Sequence, residues 1–206
     1  CVRCGTALSS HELAQGYKTI IEQSLYVRFH LKTRRGALLV WTTTPWTLPA
    51  NVAVAVDPDA MYVTIDDKGE KFILMASLAK KLFPDVEPMW REQGKNLLGL
   101  EYEPPFPTQG MPYKVVAGDF ISSEEGTGIV HIAPAFGEDD MRIGKAEGLP
   151  IFSTIDDEGL FTHAVPPWKG LFVKDADPHI IKDLEQKGLL WKKENYEHEY
   201  PYCWRC

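Results

Sequence analysis

The chain has 206 residues, 44% of them apolar and 25% charged, and its 22 Lys and Arg against 29 Asp and Glu give a net charge of -7. A chain of this size buries roughly 70% of its unfolded surface and makes a core without staples, and its composition excludes collagen-like, coiled-coil and disordered classes. No run approaches the ~20 apolar residues of a membrane-spanning helix, no basic segment leads into an apolar one as in a secretory leader, and the acidic balance disfavours tight nucleic-acid binding by this chain alone.

The first third reads as a dense set of short strands. Leu25 to Leu31 alternates apolar and polar, the pattern of a half-buried strand. Arg34-Arg35-Gly36 turns it into Ala37 to Thr43, a nearly continuous apolar and β-branched run that suits a fully buried strand. Val52 to Val56, Met61 to Ile65 and Phe72 to Met75 follow, punctuated by Asp57-Pro58-Asp59 and Asp66-Asp67-Lys68-Gly69. Ser77 to Phe83 predicts a short helix stopped by Pro84. Residues 84–112 are rich in Pro and Gly and predict loops, with a short strand over Leu97 to Leu100. Tyr113 to Val116 and Gly128 to Ile132 are further strands. Asp139 to Glu147 predicts a helix with acidic residues in its first turn and Gly148 past its end. Near the C-terminus Asp177 reads as a helix cap, Pro178 as its first position and Gly188 as its stop. Leu189 to Trp191 begins a last strand. Many short strands with a few helices predict a mixed α/β, mainly β fold: a distorted β-barrel core with peripheral helices. No G-x-G-x-x-G joins a strand to a helix, which excludes a dinucleotide-binding reading.

Three constellations carry chemistry. The cysteines lie only at the ends, as Cys1 and Cys4 and as Cys203 and Cys206. Two C-x-x-C pairs match a tetrahedral Cys4 zinc site, with Zn–S bonds of ~2.3 Å and no open position, hence structural; a disulfide or idle thiols are the alternatives. Starting at Cys1 rather than Met, the chain reads as a piece excised where an insertion leaves and re-enters a longer protein. The second constellation is Trp41 to Asn51, where Thr42, Thr43 and Thr44 leave a strand before the Pro45 bend; a threonine-rich edge strand is the bland reading. The third is Gly126 to Asp140. Glycines there allow close backbone approach, a short strand delivers His131, and a helix start holds Asp139 and Asp140; a core histidine and a capping aspartate are the alternatives. No G-x-S-x-G elbow is present, and cysteines confined to the ends exclude a buried thiol nucleophile.

Together these segments, with Cys1 to Glu12 at one end and Glu194 to Cys206 at the other, resemble the editing (CP1) domain inserted into class I isoleucyl-tRNA synthetases, over essentially the whole chain. Thr43-Thr44-Pro45-Trp46 distinguishes it from valyl and leucyl relatives, which are similar to Thr-Thr-Arg-Pro there. The resemblance implies a single editing domain over 1–206, with 1–4 and 203–206 as zinc-knot ends joining the parent. It implies a deacylase that hydrolyses valine misattached to the 3′ end of isoleucine tRNA, and valyl-adenylate, within a monomeric cytoplasmic enzyme that meets no membrane. Its partners are that tRNA and the remainder of the synthetase. It needs no organic cofactor, and a structural zinc sits on Cys1, Cys4, Cys203 and Cys206. The resemblance makes Asp140 the partner of the substrate α-ammonium, His131 a gatekeeper against isoleucine, and Thr42, Thr43 and Thr44 the wall along the aminoacyl ester. Trp46 and Asp139 join the substrate site, and Gly126, Thr127 and Gly128 give close backbone contacts. Two readings compete. One is a non-catalytic RNA-binding module, against which count the net charge and a lack of interleaved aromatic and basic residues. The other is a spacer without chemistry, against which counts the joint presence of Thr44, His131 and Asp140.

Overall fold

A computed structural model describes residues 6 and 8–203. A short helix α1 (Ser10–Ala14) precedes ten strands: β1 (Tyr17–Leu31), β2 (Ala37–Thr42), β3 (Ala53–Val56), β4 (Met61–Asp67), β5 (Glu70–Met75), β6 (Trp90–Gln93), β7 (Tyr102–Glu103), β8 (Lys114–Ala117), β9 (Ile129–Ile132) and β10 (Leu190–Pro201). Helix α2 (Ala76–Leu82) follows β5, α3 (Glu138–Ala146) follows β9, and α4 (Val173–Gln186) precedes β10. A 3-10 turn over Pro45–Ala50 links β2 to β3.

The strands form two sheets. The larger runs β10-β1-β2-β5-β4-β6, with β7 also paired to β1, and curls into half a barrel; the smaller runs β8-β3-β9. Pairing is antiparallel except for β2 with β5 and β3 with β8. The centre of the larger sheet is buried on both faces, so the strands there read as continuous apolar runs. Leu25, Val27 and Phe29 of β1, with Leu38 and Val40 of β2, point into one core, which α4 covers with Ala176, Ile180 and Leu184. Leu39, Phe72, Leu74 and Val63 point to the other side, where α2 supplies Ala79. A third cluster packs the small sheet against Ile143 of α3.

The barrel-like expectation holds: the fold is mostly β with peripheral helices. Three local expectations do not. Leu97 to Leu100 is no strand; it follows a 3-10 turn at Gly94–Asn96 and contains Gly99 at φ 78°, while the strand of this region is β6, a polar edge strand that shows no alternation. Helix α4 starts at Val173, so Asp177 lies inside it and is not its cap. Val173 and Ala176 continue the buried face of Ile180 and Leu184 upstream of Pro178, and that burial outweighs the one backbone hydrogen bond which the proline removes. Strand β10 runs far past Trp191, pairing with β1 from Leu190 opposite Val27 to Pro201 opposite Tyr17.

Candidate active site

Strand β2 lies beside β9, and the chain leaves β2 through Thr43 and Thr44 into a bend fixed by Pro45. Strand β2 is internal to the sheet at Ala37 and Leu38, where it pairs with both β1 and β5, while its threonine end pairs with β1 alone. Where the bend meets β9 and the start of α3, a cavity of about 210 Å³ opens, lined by Trp41, Thr42, Thr43, Thr44, Thr47, Val130, His131, Ala133, Phe136 and Asp140.

One wall is a hydroxyl chain. The backbone N–H of Thr44 donates to Thr42 Oγ1 at 3.1 Å, and the Thr47 hydroxyl donates to the Thr44 carbonyl at 2.8 Å. Thr47 Oγ1 is also 3.2 Å from Thr44 Oγ1 and 2.9 Å from His131 Nε2. A hydroxyl has one proton, and that of Thr47 is committed to the carbonyl. Hence Thr44 and His131 Nε2–H both donate to Thr47, and Thr42 donates to Thr44 across 3.3 Å. This assigns the imidazole tautomer from its network: Nε2 carries the proton and Nδ1 is a bare acceptor. Nδ1 is buried with no protein partner. Burial holds the imidazole below its usual pKa, against the opposing pull of Asp140, so His131 is neutral at neutral pH.

Asp140 reaches the cavity from the first turn of α3. Its Oδ1 accepts the backbone N–H of Ala133 at 2.7 Å, tying the helix start to the end of β9. A side chain at Gly137 would meet the Asp140 carboxylate and displace it from its present position. Asp139 faces away: it is exposed and, with Asp119, grips Arg142 at 3.0 and 2.6 Å respectively. Neither aspartate caps the helix, whose N-cap is Gly137 with no side-chain bond.

The remaining predicted residues stand behind the wall. Trp46 meets Phe136 edge-on, ring centroids 5.0 Å apart, and its indole N–H is buried without a protein partner. Gly126, at φ 68°, lies under the Trp41 indole, where a Cβ would come within 2.7 Å of the ring. Gly128, at φ 72°, makes room for Met75, and Thr127 is buried with its hydroxyl donating to the Ile129 carbonyl. None of these three lines the cavity. Thr47 and Phe136, which do, carry no sequence signal that sets them apart. On the far side, Thr43 also lines a wider groove of about 570 Å³ with Glu22, Lys174, Asp177, Lys182, Glu185 and Lys193. Burial pushes the Asp177 carboxyl up to about 7, while the Lys174 ammonium and the Trp46 backbone N–H pull the other way.

Known proteins share this sequence and this fold. The whole chain is 48% identical to part of the isoleucine–tRNA ligase of Clostridium kluyveri, over 209 residues, and 48% identical to that of Thermus thermophilus, over 215 residues. Over its whole length the chain matches a segment of the isoleucine–tRNA ligases. It spans 20% of the length of these curated relatives. No family model matches it. Its fold is that of the editing domains of class I synthetases: the editing domain of the P. falciparum cytosolic leucyl-tRNA synthetase superposes with a TM-score of 0.66 at 11% identity, covering 86% of this chain and 100% of that one. The P. knowlesi counterpart gives 0.64 at 13% identity, covering 86% and 97%. At such low identity what is shared is the arrangement of strands, which the threonine bend and β9 occupy here. Of the zinc expectation, Cys1, Cys4 and Cys206 lie outside the described residues, and Cys203 is half-buried. Among the described residues no group of three or more His, Cys, Asp or Glu could hold a metal ion.

Proposed function

We propose that the threonine cavity hydrolyses valine misattached to isoleucine tRNA, and valyl-adenylate, as the second sieve of the parent synthetase. Isoleucine against valine is a standard illustration of the need: one methylene is worth only about 1–3 kcal/mol to a binding pocket, so a second site must remove what is small enough to enter. The observation that carries this reading is the size and lining of the cavity. At about 210 Å³ it falls below the roughly 300–1,000 Å³ of pockets that enclose a whole drug-sized ligand. It takes the aminoacyl group and leaves the nucleoside outside.

The residues divide the work. The Asp140 carboxylate receives the substrate α-ammonium through charge-assisted hydrogen bonds. The hydroxyls of Thr42, Thr43 and Thr44 lie along the ester, where they hold the carbonyl and an attacking water in register. An aminoacyl ester is already activated, so orientation supplies most of what hydrolysis requires, and the Thr43 hydroxyl, whose proton the wall does not use, is the donor left to face the developing oxyanion. The neutral His131 ring, clamped by Thr47, closes the end of the cavity against the extra methylene of isoleucine.

The test compares deacylation of valyl- and isoleucyl-tRNA by the intact synthetase carrying this domain. Hydrolysis of the valyl ester and sparing of the isoleucyl ester is the expected result; hydrolysis of neither, in a folded enzyme, would contradict the reading.

A further inference from the structure

The cavity takes only the end of its substrate, so the rest must leave across the surface. The larger sheet offers a path. Strand β10 carries Tyr196, His198 and Tyr200 at every second position, continued by Tyr202, with Glu197 and Glu199 between them. Alternate residues of a strand share a face and lie ~6.7 Å apart, so the rings line one side of the β1–β10 ribbon and the glutamates the other. They form an unbroken ladder: Tyr196 to His198 at 5.6 Å between centroids, His198 to Tyr200 at 6.1 Å and Tyr200 to Tyr202 at 5.5 Å. Its inner end is the cavity itself, because Trp41, which lines the cavity, meets Tyr196 edge-on at 5.1 Å.

The ladder face carries two cations, and also Glu22, 3.3 Å from His198 Nε2, and Glu125, which accepts the Tyr196 hydroxyl at 2.7 Å. Lys174 lies 5.0 Å over the Tyr200 ring and Lys18 5.1 Å over that of Tyr202. Lys18, Ile20 and Glu22 stand opposite Tyr200, His198 and Tyr196 in register, and Glu22 is engaged by Lys174 at 2.6 Å. The rings remain partly open, Tyr202 by 41%. The opposite face presents Glu197 and Glu199, both exposed. Aromatic rings in series with interleaved cations are how proteins hold single-stranded nucleic acid without reading its sequence. The interleaving is invisible along the chain, because Lys18 and Lys174 come from β1 and α4.

We propose that the aromatic face of the β1–β10 ribbon is a stacking track for the single-stranded 3′ end of the RNA whose aminoacyl terminus enters the threonine cavity. This rests on the functional reading above, which supplies the RNA. The track leads bases from the ribbon toward Trp41 and delivers the terminal ester to Thr43 and Thr44. With two lysines against a chain of net charge -7, its grip comes from stacking more than from phosphate attraction.

The experiment uses the intact synthetase and two substrates: valyl-tRNA, and a valyl ester of adenosine, which enters the cavity but lacks the upstream nucleotides. Tyr200→Ala is expected to raise KM for valyl-tRNA about tenfold, within the range for loss of one base–ring stack, with kcat and adenosine-ester hydrolysis unchanged. Tyr200→Trp restores KM. Lys18→Glu, at an exposed residue, repeats the KM effect more weakly and covers the case in which Tyr200→Ala impairs folding. An unchanged KM in both variants overturns the track. So does equal loss on both substrates, which would mean that the ribbon is packing, for instance against the rest of the synthetase. If the wild type cleaves neither substrate, the functional reading fails by itself. The track is then judged by tyrosine fluorescence on adding a short single-stranded RNA ending in CCA, where no quenching by the wild type, or equal quenching in Tyr200→Ala, overturns it.

Discussion

The threonine cavity and the aromatic ribbon share Trp41 and solve opposite problems. In the cavity each polar atom is fixed by the next: Thr42, Thr44, Thr47 and His131 form one chain of hydrogen bonds with the protons assigned by a single carbonyl. Along the ribbon the ring centroids lie 5.5 to 6.1 Å apart with varied tilts and no directional bonds between them. A site that must reject one methylene needs walls that do not move, because tight packing is what makes a small volume difference felt. A surface that must pass a strand of RNA needs contacts that any base satisfies. Under the proposed function, specificity resides in the bonded network and not in the extended surface.

Changes confined to the cavity should alter chemistry or selectivity, and the largest effect is expected at Asp140. Asp140→Ala should lower valyl-tRNA deacylation roughly 100-fold, the upper range for a hydrogen bond to a charged group. It should destabilise the domain by about 1–3 kcal/mol, for the buried Ala133 N–H left without its acceptor. Steady-state rates beside a denaturation curve check both, and a rate within threefold of wild type would remove Asp140 from the mechanism. Gly126→Ala tests the join between the two regions. It forces φ 68° on a residue with a Cβ and pushes on Trp41, so Tm should fall by several degrees and both kcat and KM for valyl-tRNA should worsen. A change in only one of the two would show that Trp41 serves only one region. Thr47→Val keeps the shape of the wall and releases His131 Nε2; the ratio of valyl to isoleucyl deacylation should drop roughly 5- to 10-fold, in line with one neutral hydrogen bond, while KM for tRNA stays constant.

The smallest effect is expected behind the bend, at Asp177. Its carboxyl titrates near 7 in the fold against ~3.9 in an unfolded chain. The folded state therefore binds more protons between these values, and this group's contribution to stability falls as pH rises from about 4 to about 7. Asp177→Asn should match the wild type in Tm near pH 4 and exceed it modestly at pH 8. Equal Tm at both values would place the carboxyl in a more hydrated setting than the groove suggests.

The central strands were legible because burial on both faces leaves continuous apolar runs, as in Ala37 to Thr42. Edge and ribbon strands were not: β6 is polar on both faces, and the Tyr-x-His-x-Tyr spacing of β10 gains meaning only when β1 pairs with it. Asp177-Pro178 imitates a helix start, and only the burial of Val173 and Ala176 reveals the true one. At the site, Asp139 and Asp140 are chemically identical neighbours, and the ~100° between successive helix positions decides which one faces the cavity. Thr47 was indistinguishable from Thr42 to Thr44 because its partner, His131, is 84 positions away. The resemblance to isoleucyl-tRNA synthetases pointed to His131 and Asp140, whereas the hydrogen-bond chain that runs from Thr42 through Thr44 and Thr47 to His131 is a property of the fold alone.

The central claim is that the clamped imidazole of His131 sets the size limit of the hydrolytic cavity. The direct measurement is the ratio of valyl- to isoleucyl-tRNA deacylation by the intact synthetase carrying His131→Ala. The account predicts that isoleucyl-tRNA becomes a substrate while valyl hydrolysis stays within a few-fold of wild type, so that the ratio falls by roughly tenfold or more, the range that one methylene spans. An unchanged ratio, with valyl hydrolysis intact, would contradict it.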